Sequence, residues 1–238
     1  MNRLPTILTT AAILASVAAA RVDADLVITE WAFGTGISDF ALNGGVAQDF
    51  TLVVQNPFQD SHLAKYQGSI TNADYDFSWL LDEAHFDITT THHLAQLDGQ
   101  TTTSGRIFLT PSVDSLVAFS GNWQYAWPSA ALGQTGFVMA VIDLAMEDPI
   151  AIEFEFGGNV GVGPPFGTIN LSGSAFIPAG GQYMLHYSAN VDHIDPTPPG
   201  IFGEASGEFH FTITPIPEPA AALLLALPIL AKRSRRPR

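Results

Sequence analysis

The alternation of apolar and polar residues in short segments constrains the fold of this sequence more than any other feature. Every second residue is apolar or small in the runs 117–125, 153–156, 183–191 and 209–213. A period of two places one side of an extended chain in a core and the other side in water. The pattern therefore predicts half-buried antiparallel strands.

Segments rich in Gly and Pro separate these runs, at 43–45, 98–99, 157–159, 178–181 and 196–200. Residues 137–145 are more continuously apolar, which suits a central strand. Residues 79–85 fit one helical turn or a strand equally well, and we find no long helical period and no internal repeat. Several short strands between such turns predict one antiparallel β-sandwich, Ig-like or jelly-roll, over residues 25–213.

The charge distribution limits the possible partners of this domain. Residues 25–216 keep only Lys65 and Arg106 against 21 of the 23 acidic residues of the chain. Such a field repels phosphates and anionic lipids, so we expect no nucleic-acid partner, and it favours divalent cations or basic partners. Solubility outside the cell explains the same composition. The absence of cysteine excludes disulfides, thiolate catalysis and Cys-ligated zinc.

The N-terminus has the layout of a secretion signal. Arg3 supplies a positive start, and residues 7–20 form an uncharged, mainly apolar run. Small residues precede two candidate cleavage points, after Ala20 and after Ala24. A run of this length is too short for a membrane span. We therefore assign residues 1–24 to a signal peptide and expect export by the Sec machinery.

Three elements follow one another in residues 214–238. A proline-rich stretch contains Pro217, Glu218 and Pro219, and it resists helix and sheet because proline lacks a backbone donor. Residues 220–231 are uncharged and apolar, and we expect them to form a short helix. The basic end, residues 232–238, contains Lys232, Arg233, Arg235, Arg236 and Arg238. Cations placed there stop transfer and stay on the cytoplasmic side of a membrane.

In these residues the chain resembles the PEP-CTERM family of sorting domains. The resemblance rests on the Pro217-Glu218-Pro219 triplet, the apolar run and the terminal cations, in that order and paired with a secretion signal. It implies export, temporary retention by the tail, and processing near the triplet by exosortase, a membrane-embedded cysteine transpeptidase or protease. It also implies a link to extracellular polysaccharide production, with the protein first at the envelope membrane and then at the cell surface or outside the cell.

The apolar run is short for a membrane span. As a helix, residues 220–231 rise only about 18 Å, against a hydrocarbon core of about 30 Å. Pro228 interrupts the run, and snorkelling of Lys232 and Arg233 recovers a few ångströms. These dimensions favour transient retention over a permanent anchor, and both cleavage and retention of the tail stay open.

An aromatic row offers a possible sugar platform. Trp123, Tyr125 and Trp127 fall on one face of an extended chain and can stack on sugar rings. The same face carries Val117 and Phe119, and a stripe shared with aliphatic residues is more typical of a core. Trp127, close to the end of its run, is the ring of the three that we expect to be exposed.

A calcium-loop spacing offers a possible metal site. Positions 1, 3, 5, 7 and 12 of such a loop are matched by Asn72, Asp74, Asp76, Ser78 and Glu83. The required glycine at the sixth position is Phe77, and no helices flank the segment, so an EF-hand is rejected. A nonstandard Ca²⁺ site remains as the alternative to acidic residues on the outward face of a strand, and we expect no other cofactor.

Histidines offer a second possible metal site. If the runs containing His186 and His210 pair, the two rings approach each other, with Glu208 as a third zinc ligand. A cluster in the sequence contains His85, Asp87, His92 and His93. Surface histidines without a special role are the simpler interpretation.

Three functions fit these observations. The first is a noncatalytic surface or matrix protein, the second a carbohydrate-binding module acting on extracellular polysaccharide, and the third a secreted hydrolase. No Gly-x-Ser-x-Gly elbow, P-loop or dinucleotide fingerprint occurs. A binding module predicts exposed aromatic rings, most simply Trp127 with Tyr125 or Trp31. A hydrolase predicts two carboxylates facing each other in a cleft, and a structural protein predicts neither.

Overall fold

The computed structural model describes residues 26–39, 44–51, 57–80, 83–95, 99–127, 133–158, 166–193 and 202–216. These residues form strands and turns without a helix, which confirms the all-β prediction. The strands are β1 (Val27–Asp39), β2 (Gly44–Thr51), β3 (Phe58–Tyr66), β4 (Ser69–Leu80), β5 (Glu83–Ala95), β6 (Gly99–Thr110), β7 (Ser115–Ala126), β8 (Gly133–Asp143), β9 (Asp148–Gly158), β10 (Phe166–Ile177), β11 (Tyr183–His193) and β12 (Phe202–Pro215).

The strands form two antiparallel sheets that pack as a sandwich. The first sheet has the order β2-β1-β6-β11-β8-β9, and the second has the order β10-β7-β12-β5-β4-β3. Of residues 79–85, which fitted either structure, 79–80 end β4 and 83–85 begin β5. Residues 137–143 of the apolar segment lie in β8, which pairs with β11 on one side and with β9 on the other.

The last eight strands are paired as a nested series. β8 pairs with β9, β7 with β10, β6 with β11, and β5 with β12. The chain from β5 to β12 is thus one long hairpin rolled into two sheets, which is the order of a jelly roll. The β1–β2 hairpin extends the first sheet beyond β6, and the β3–β4 hairpin extends the second sheet beyond β5.

Aromatic rings join the two inner faces. Phe209 of the second sheet lies 5.3 Å from Phe137 and 5.6 Å from Tyr187 of the first sheet, between ring centroids. The hydroxyl of Tyr187 donates to the hydroxyl of Tyr75 across the sheets at 2.8 Å. Offset and edge contacts of this kind add to the free energy gained from burying the rings. The period-two residues of the sequence therefore build one continuous core.

Short turns with left-handed residues connect strands that are consecutive in the chain. Gln67 and Gly68 both have positive φ, 47° and 87°, in the two-residue turn between β3 and β4. Two positive φ angles match the twist of a hairpin, and glycine adopts them without steric cost. Gly180, with φ 75°, lies in the turn predicted at 178–181, where its N–H donates to the carbonyl of Pro111 at 2.7 Å.

Side chains join the edge strands β2 and β3, which belong to different sheets. A carboxylate oxygen of Asp49 accepts a hydrogen bond from the backbone N–H of Leu63 at 3.0 Å. The buried ring of His62 lies between Asp49 and Asp60, with nitrogen–oxygen distances of 3.5 and 3.2 Å. These contacts close the sandwich on this side.

Both predicted targeting segments lie outside the described residues. These are the signal peptide at 1–24 and the apolar run at 220–231 with its expected helix. Within the part of the chain that the structure describes, no helix is long and apolar enough to cross a membrane.

Candidate functional site

A groove crosses the outward face of the second sheet. Because side chains alternate between the faces of a strand, cross-strand partners form rows across this face. One row contains Phe166, Ala126, Glu204, His93 and Ile70. The next row contains Thr168, Gln124, Ser206 and Thr91. Together these two rows line a cavity of about 610 Å³, which we call the groove.

The first row has apolar ends and a polar middle. Phe166 is 69% exposed at the β10 end, and Ile70 is 39% exposed at the β4 end. Between them, Nδ1 of His93 lies 3.2 Å from a carboxylate oxygen of Glu204. Four strand spacings separate the ends, so the groove is about 19 Å long across the strands.

The second row is uncharged. Its hydroxyl and amide groups, on Thr168, Gln124, Ser206 and Thr91, can both donate and accept hydrogen bonds. They stand on four different strands and are spaced by about 4.8 Å from one strand to the next. The groove can thus offer an extended polar ligand a regular line of hydrogen-bonding groups.

His92 lies beneath the groove, on the core side of β5. Its ring nitrogens lie 3.1 Å from the hydroxyl of Thr101, 3.4 Å from that of Thr71 and 3.3 Å from that of Thr103. Complete burial lowers its pKa to about 3, so the ring is neutral at pH 7. Its ring meets Trp123 edge-on at 5.3 Å between centroids. This satisfied polar cluster gives the groove a packed floor.

The predicted aromatic row does not form an exposed platform. Trp123, Tyr125 and Trp127 are 0%, 8% and 4% exposed, and they belong to the core. Trp127, expected at the surface, is buried because Gly133 and Gly203 leave room for its ring: a Cβ on either glycine would come within 2.4 Å of ring atoms.

The predicted calcium ligands are spread along two strands. Asn72, Asp74 and Asp76 alternate on the outward face of β4, where the amide of Asn72 donates to Asp74 at 3.2 Å. Asp76 pairs with Asp87 on β5, and Glu83 lies four residues before Asp87 at the start of that strand. Glu83 is therefore about 13 Å along β5 from the position opposite Asp76. Among the described residues, no group of three or more His, Asp or Glu side chains could hold a metal ion.

The predicted approach of His186 and His210 is wrong. β11 and β12 follow each other in sequence but lie in different sheets, so the two rings face opposite sides of the sandwich. Nδ1 of His210 lies 2.6 Å from a carboxylate oxygen of Asp87 on β5. Burial, with the nearby charge of Arg106, lowers the pKa of His186. Within the sequence cluster, His85, Asp87 and His93 face outward and His92 faces the core.

Two carboxylates lie next to each other at Asp76 and Asp87, whereas a hydrolase would need two that face each other across a cleft. They are cross-strand partners in a recess of about 470 Å³ on the outward face of the second sheet. Each is already engaged by a neighbour, because the amide of Gln59 donates to Asp76 at 2.9 Å and His210 contacts Asp87. The two side chains thus stand beside each other on one sheet surface.

The groove could not be predicted from the sequence because its residues come from five separate strands of the chain. Gln124 and Ser206 are simply polar residues between apolar ones in the sequence. Only the pairing of β7 with β12 places them side by side. The alternating runs do show which side chains of each strand face outward. They do not show which strands lie next to each other in the sheet.

No family model and no curated protein matches this chain. Among solved structures, the VP2 subviral particle of infectious bursal disease virus aligns at 10% identity and a TM-score of 0.35, over 78% of this chain and 52% of that one. The CBM22-1 xylan-binding domain from Paenibacillus barcinonensis Xyn10C aligns at 12% identity and a TM-score of 0.23, over 69% and 100% of the two chains. The MgGH51 α-L-arabinofuranosidase aligns at 10% identity and a TM-score of 0.25, over 64% and 23%. The chain spans about half of the VP2 chain, and likeness at these scores identifies neither a family nor a ligand.

Proposed function

We propose that this chain is a noncatalytic bacterial protein of the cell surface or extracellular matrix, exported by Sec and sorted through its C-terminal tail by an exosortase. The observation that carries the proposal is the order of Pro217-Glu218-Pro219, the apolar run 220–231 and the terminal cations. Each part has a physical role: an extended processing site, a segment that enters lipid, and a charge cluster that halts transfer.

The end of the sandwich supports this order. β12 ends at Pro215, and the N–H of Ile216 donates to the carbonyl of Asp114 at 2.8 Å. The Pro-Glu-Pro triplet begins at the next residue, after the last strand of the sandwich, which is where a processing site is expected.

Processing in an exosortase-bearing host tests the sorting proposal. We expect Glu218→Gln, or deletion of residues 232–238, to leave the protein unprocessed or mislocalised, as read from the mass and the cell fraction of the mature chain. Glu208→Gln, the same substitution on the outward face of β12, is the matched control and should be processed normally. Normal processing of both tail variants would contradict the proposal.

A second candidate function is binding of extracellular polysaccharide, and the groove is the observation that favours it. The groove combines an uncharged hydrogen-bonding row with an exposed aromatic ring at one end. Sugar rings offer hydroxyl groups for such a row and C–H faces for the ring. This assignment replaces the Trp123, Tyr125 and Trp127 platform, which is buried.

Retardation of the native protein in gels that contain polysaccharide tests this second function. We expect Gln124→Ala combined with Ser206→Ala to weaken the apparent affinity measured by retardation about thirtyfold, since the two lost hydrogen bonds cost about 1 kcal/mol each. Ser120→Ala with Ser172→Ala is the matched control, because these residues lie on the same face outside the groove. Equal retardation of both double variants would exclude the groove as the binding site.

A further inference from the structure

We infer that the groove takes an uncharged glycan chain lying across the strands and excludes polyanionic glycans such as those built from uronic acids. This inference rests on the second proposed function and names the ligand class of that site. The inference depends on the charges around the groove as well as on the residues that line it.

The outward face of the second sheet is acidic around an uncharged row. Its described strands carry the carboxylates of Asp74, Asp76, Glu83, Asp87, Glu204 and Glu208. Lys65 is the one lysine or arginine on this face within the described strands, and it lies on the edge strand β3. The described lining of the groove therefore contains no lysine or arginine to bind a carboxylate, and its outward-facing histidine, His93, already contacts Glu204.

Two carboxylates bracket the uncharged row on β12. Glu204 and Glu208 are each two residues from Ser206 on the same face, which places them about 7 Å away on either side. On β4, Asp74 stands beside Thr89 in the row that also contains Glu208. An anionic group in the groove would lie within one Debye length, about 8 Å, of these charges at physiological salt.

An uncharged sugar avoids this repulsion and can use the groups that are present. The hydroxyls of Thr168, Ser206 and Thr91 and the amide of Gln124 donate and accept, which matches sugar hydroxyls. Phe166 at one end and Ile70 at the other supply apolar contact for ring faces. Like charges on both sides at about 7 Å weaken binding of an anionic ring about tenfold at low salt.

The experiment compares matched oligosaccharides on the mature protein by titration calorimetry. The probes are neutral gluco-, xylo- and manno-oligosaccharides, and the C6-carboxylated counterpart of any of the hexose probes that binds. We expect the carboxylated probe to bind at least about tenfold more weakly at low salt. Raising the salt to about 0.5 M should reduce this difference in affinity, which we call the affinity gap, because salt screens exposed charges.

Charge variants outside the groove locate the effect. Glu208→Gln with Asp74→Asn should reduce the affinity gap between the neutral and the carboxylated probe about threefold. The gap should not disappear, because Glu204 still repels the anionic probe. Glu153→Gln with Glu155→Gln removes the same amount of charge on β9 of the first sheet and should leave the affinity gap unchanged.

Three outcomes would contradict this inference. If both variant pairs reduced the affinity gap equally, the net charge of the protein would cause the selectivity, and the charges near the groove would have no special effect. If neutral and carboxylated probes bound equally well, the exclusion of anionic glycans would be wrong, although glycan binding would stand. Failure of every probe, neutral and charged, would overturn glycan binding itself.

Discussion

His92 makes the stability of the sandwich depend on pH. Its folded pKa of about 3 lies below the unfolded value of about 6.5. The unfolded chain therefore binds more protons between these values, and the stability that the neutral ring contributes is present above pH 6.5 and is lost as the pH falls. We expect the wild-type protein to lose about 1.4 kcal/mol of unfolding free energy per pH unit in this window from His92 alone.

Urea unfolding at pH 7, 6 and 5 measures this loss. His92→Gln keeps a polar side chain among Thr71, Thr101 and Thr103 but cannot take up a proton, so its stability should fall less steeply. His85→Gln, on the outward face of the same strand, should keep the wild-type slope. If the His92 variant and the wild type lost stability in parallel, the buried ring would not be the titrating group.

Trp127 shows how single glycines decide where an aromatic ring goes. The sequence places it at the end of a run and predicts exposure, yet the ring fits into space left by Gly133 and Gly203 on two other strands. We expect Gly203→Ala to force the ring to shift and to cost about 1–3 kcal/mol of unfolding free energy. A red shift of tryptophan emission should accompany the loss.

Gly180→Ala is the reference for an alanine placed at a glycine with open space around it. No atom lies within 4 Å of a Cβ built there, but its φ of 75° adds backbone strain. Its destabilisation should therefore come without a change in tryptophan emission. Unchanged emission and stability in Gly203→Ala would show that Trp127 does not depend on that glycine.

At the scale of strands, period-two alternation predicted the elements but not their partners. β7 and β11 correspond closely to the runs 117–125 and 183–191, and β12 contains the run 209–213 but begins seven residues earlier, at Phe202. The pairing of His186 with His210 failed because β11 and β12, although consecutive in the chain, lie in different sheets. The alternating pattern alone is equally compatible with a hairpin. Strand order depends on long-range packing that no local pattern encodes.

β9 is an edge strand whose apolar face needs protection. Ile150, Ile152 and Phe154 are 38%, 46% and 58% exposed on one side of the strand. Glu153 and Glu155 are the residues before and after Phe154. Charges on the alternate face of an edge strand hinder pairing with another chain. We expect Glu153→Val with Glu155→Val to convert this strand into an aggregation-prone segment, seen as higher oligomers in size-exclusion chromatography.

The double variant Glu153→Gln with Glu155→Gln separates charge from apolar character. It removes the charges and adds no apolar side chain, so we expect it to aggregate much less than the valine pair. A valine pair that stayed monomeric at high protein concentration would mean that the carboxylates do not protect this edge.

At the scale of the molecule, the nested pairing explains why the fold class was predictable and the groove was not. The groove joins Ile70 on β4 to Phe166 on β10 and Ser206 on β12, residues that become neighbours only when the long hairpin from β5 to β12 is rolled up. Contacts between residues so far apart in sequence leave no local signature. The Pro-Glu-Pro tail differs from the groove because all of its residues are contiguous, so its pattern is visible in the sequence alone.

The same contrast yields a prediction about the tail. If residues 217–238 serve sorting and not folding, removing them should change the unfolding free energy of the domain by less than about 0.5 kcal/mol. The core of the described residues is continuous without them. The competing arrangement has the apolar run 220–231 covering Ile150, Ile152 and Phe154, and it predicts a loss of several kcal/mol on deletion.

Urea unfolding in one mild detergent distinguishes the two arrangements, using the mature chain, a deletion of 232–238 and a deletion of 217–238. A loss confined to the longer deletion would place the apolar run on the first sheet and remove its role in lipid. Equal stability of all three chains would leave the tail free for the membrane. Ile150, Ile152 and Phe154 on β9 would then stay in contact with solvent, with Glu153 and Glu155 as the charges beside them.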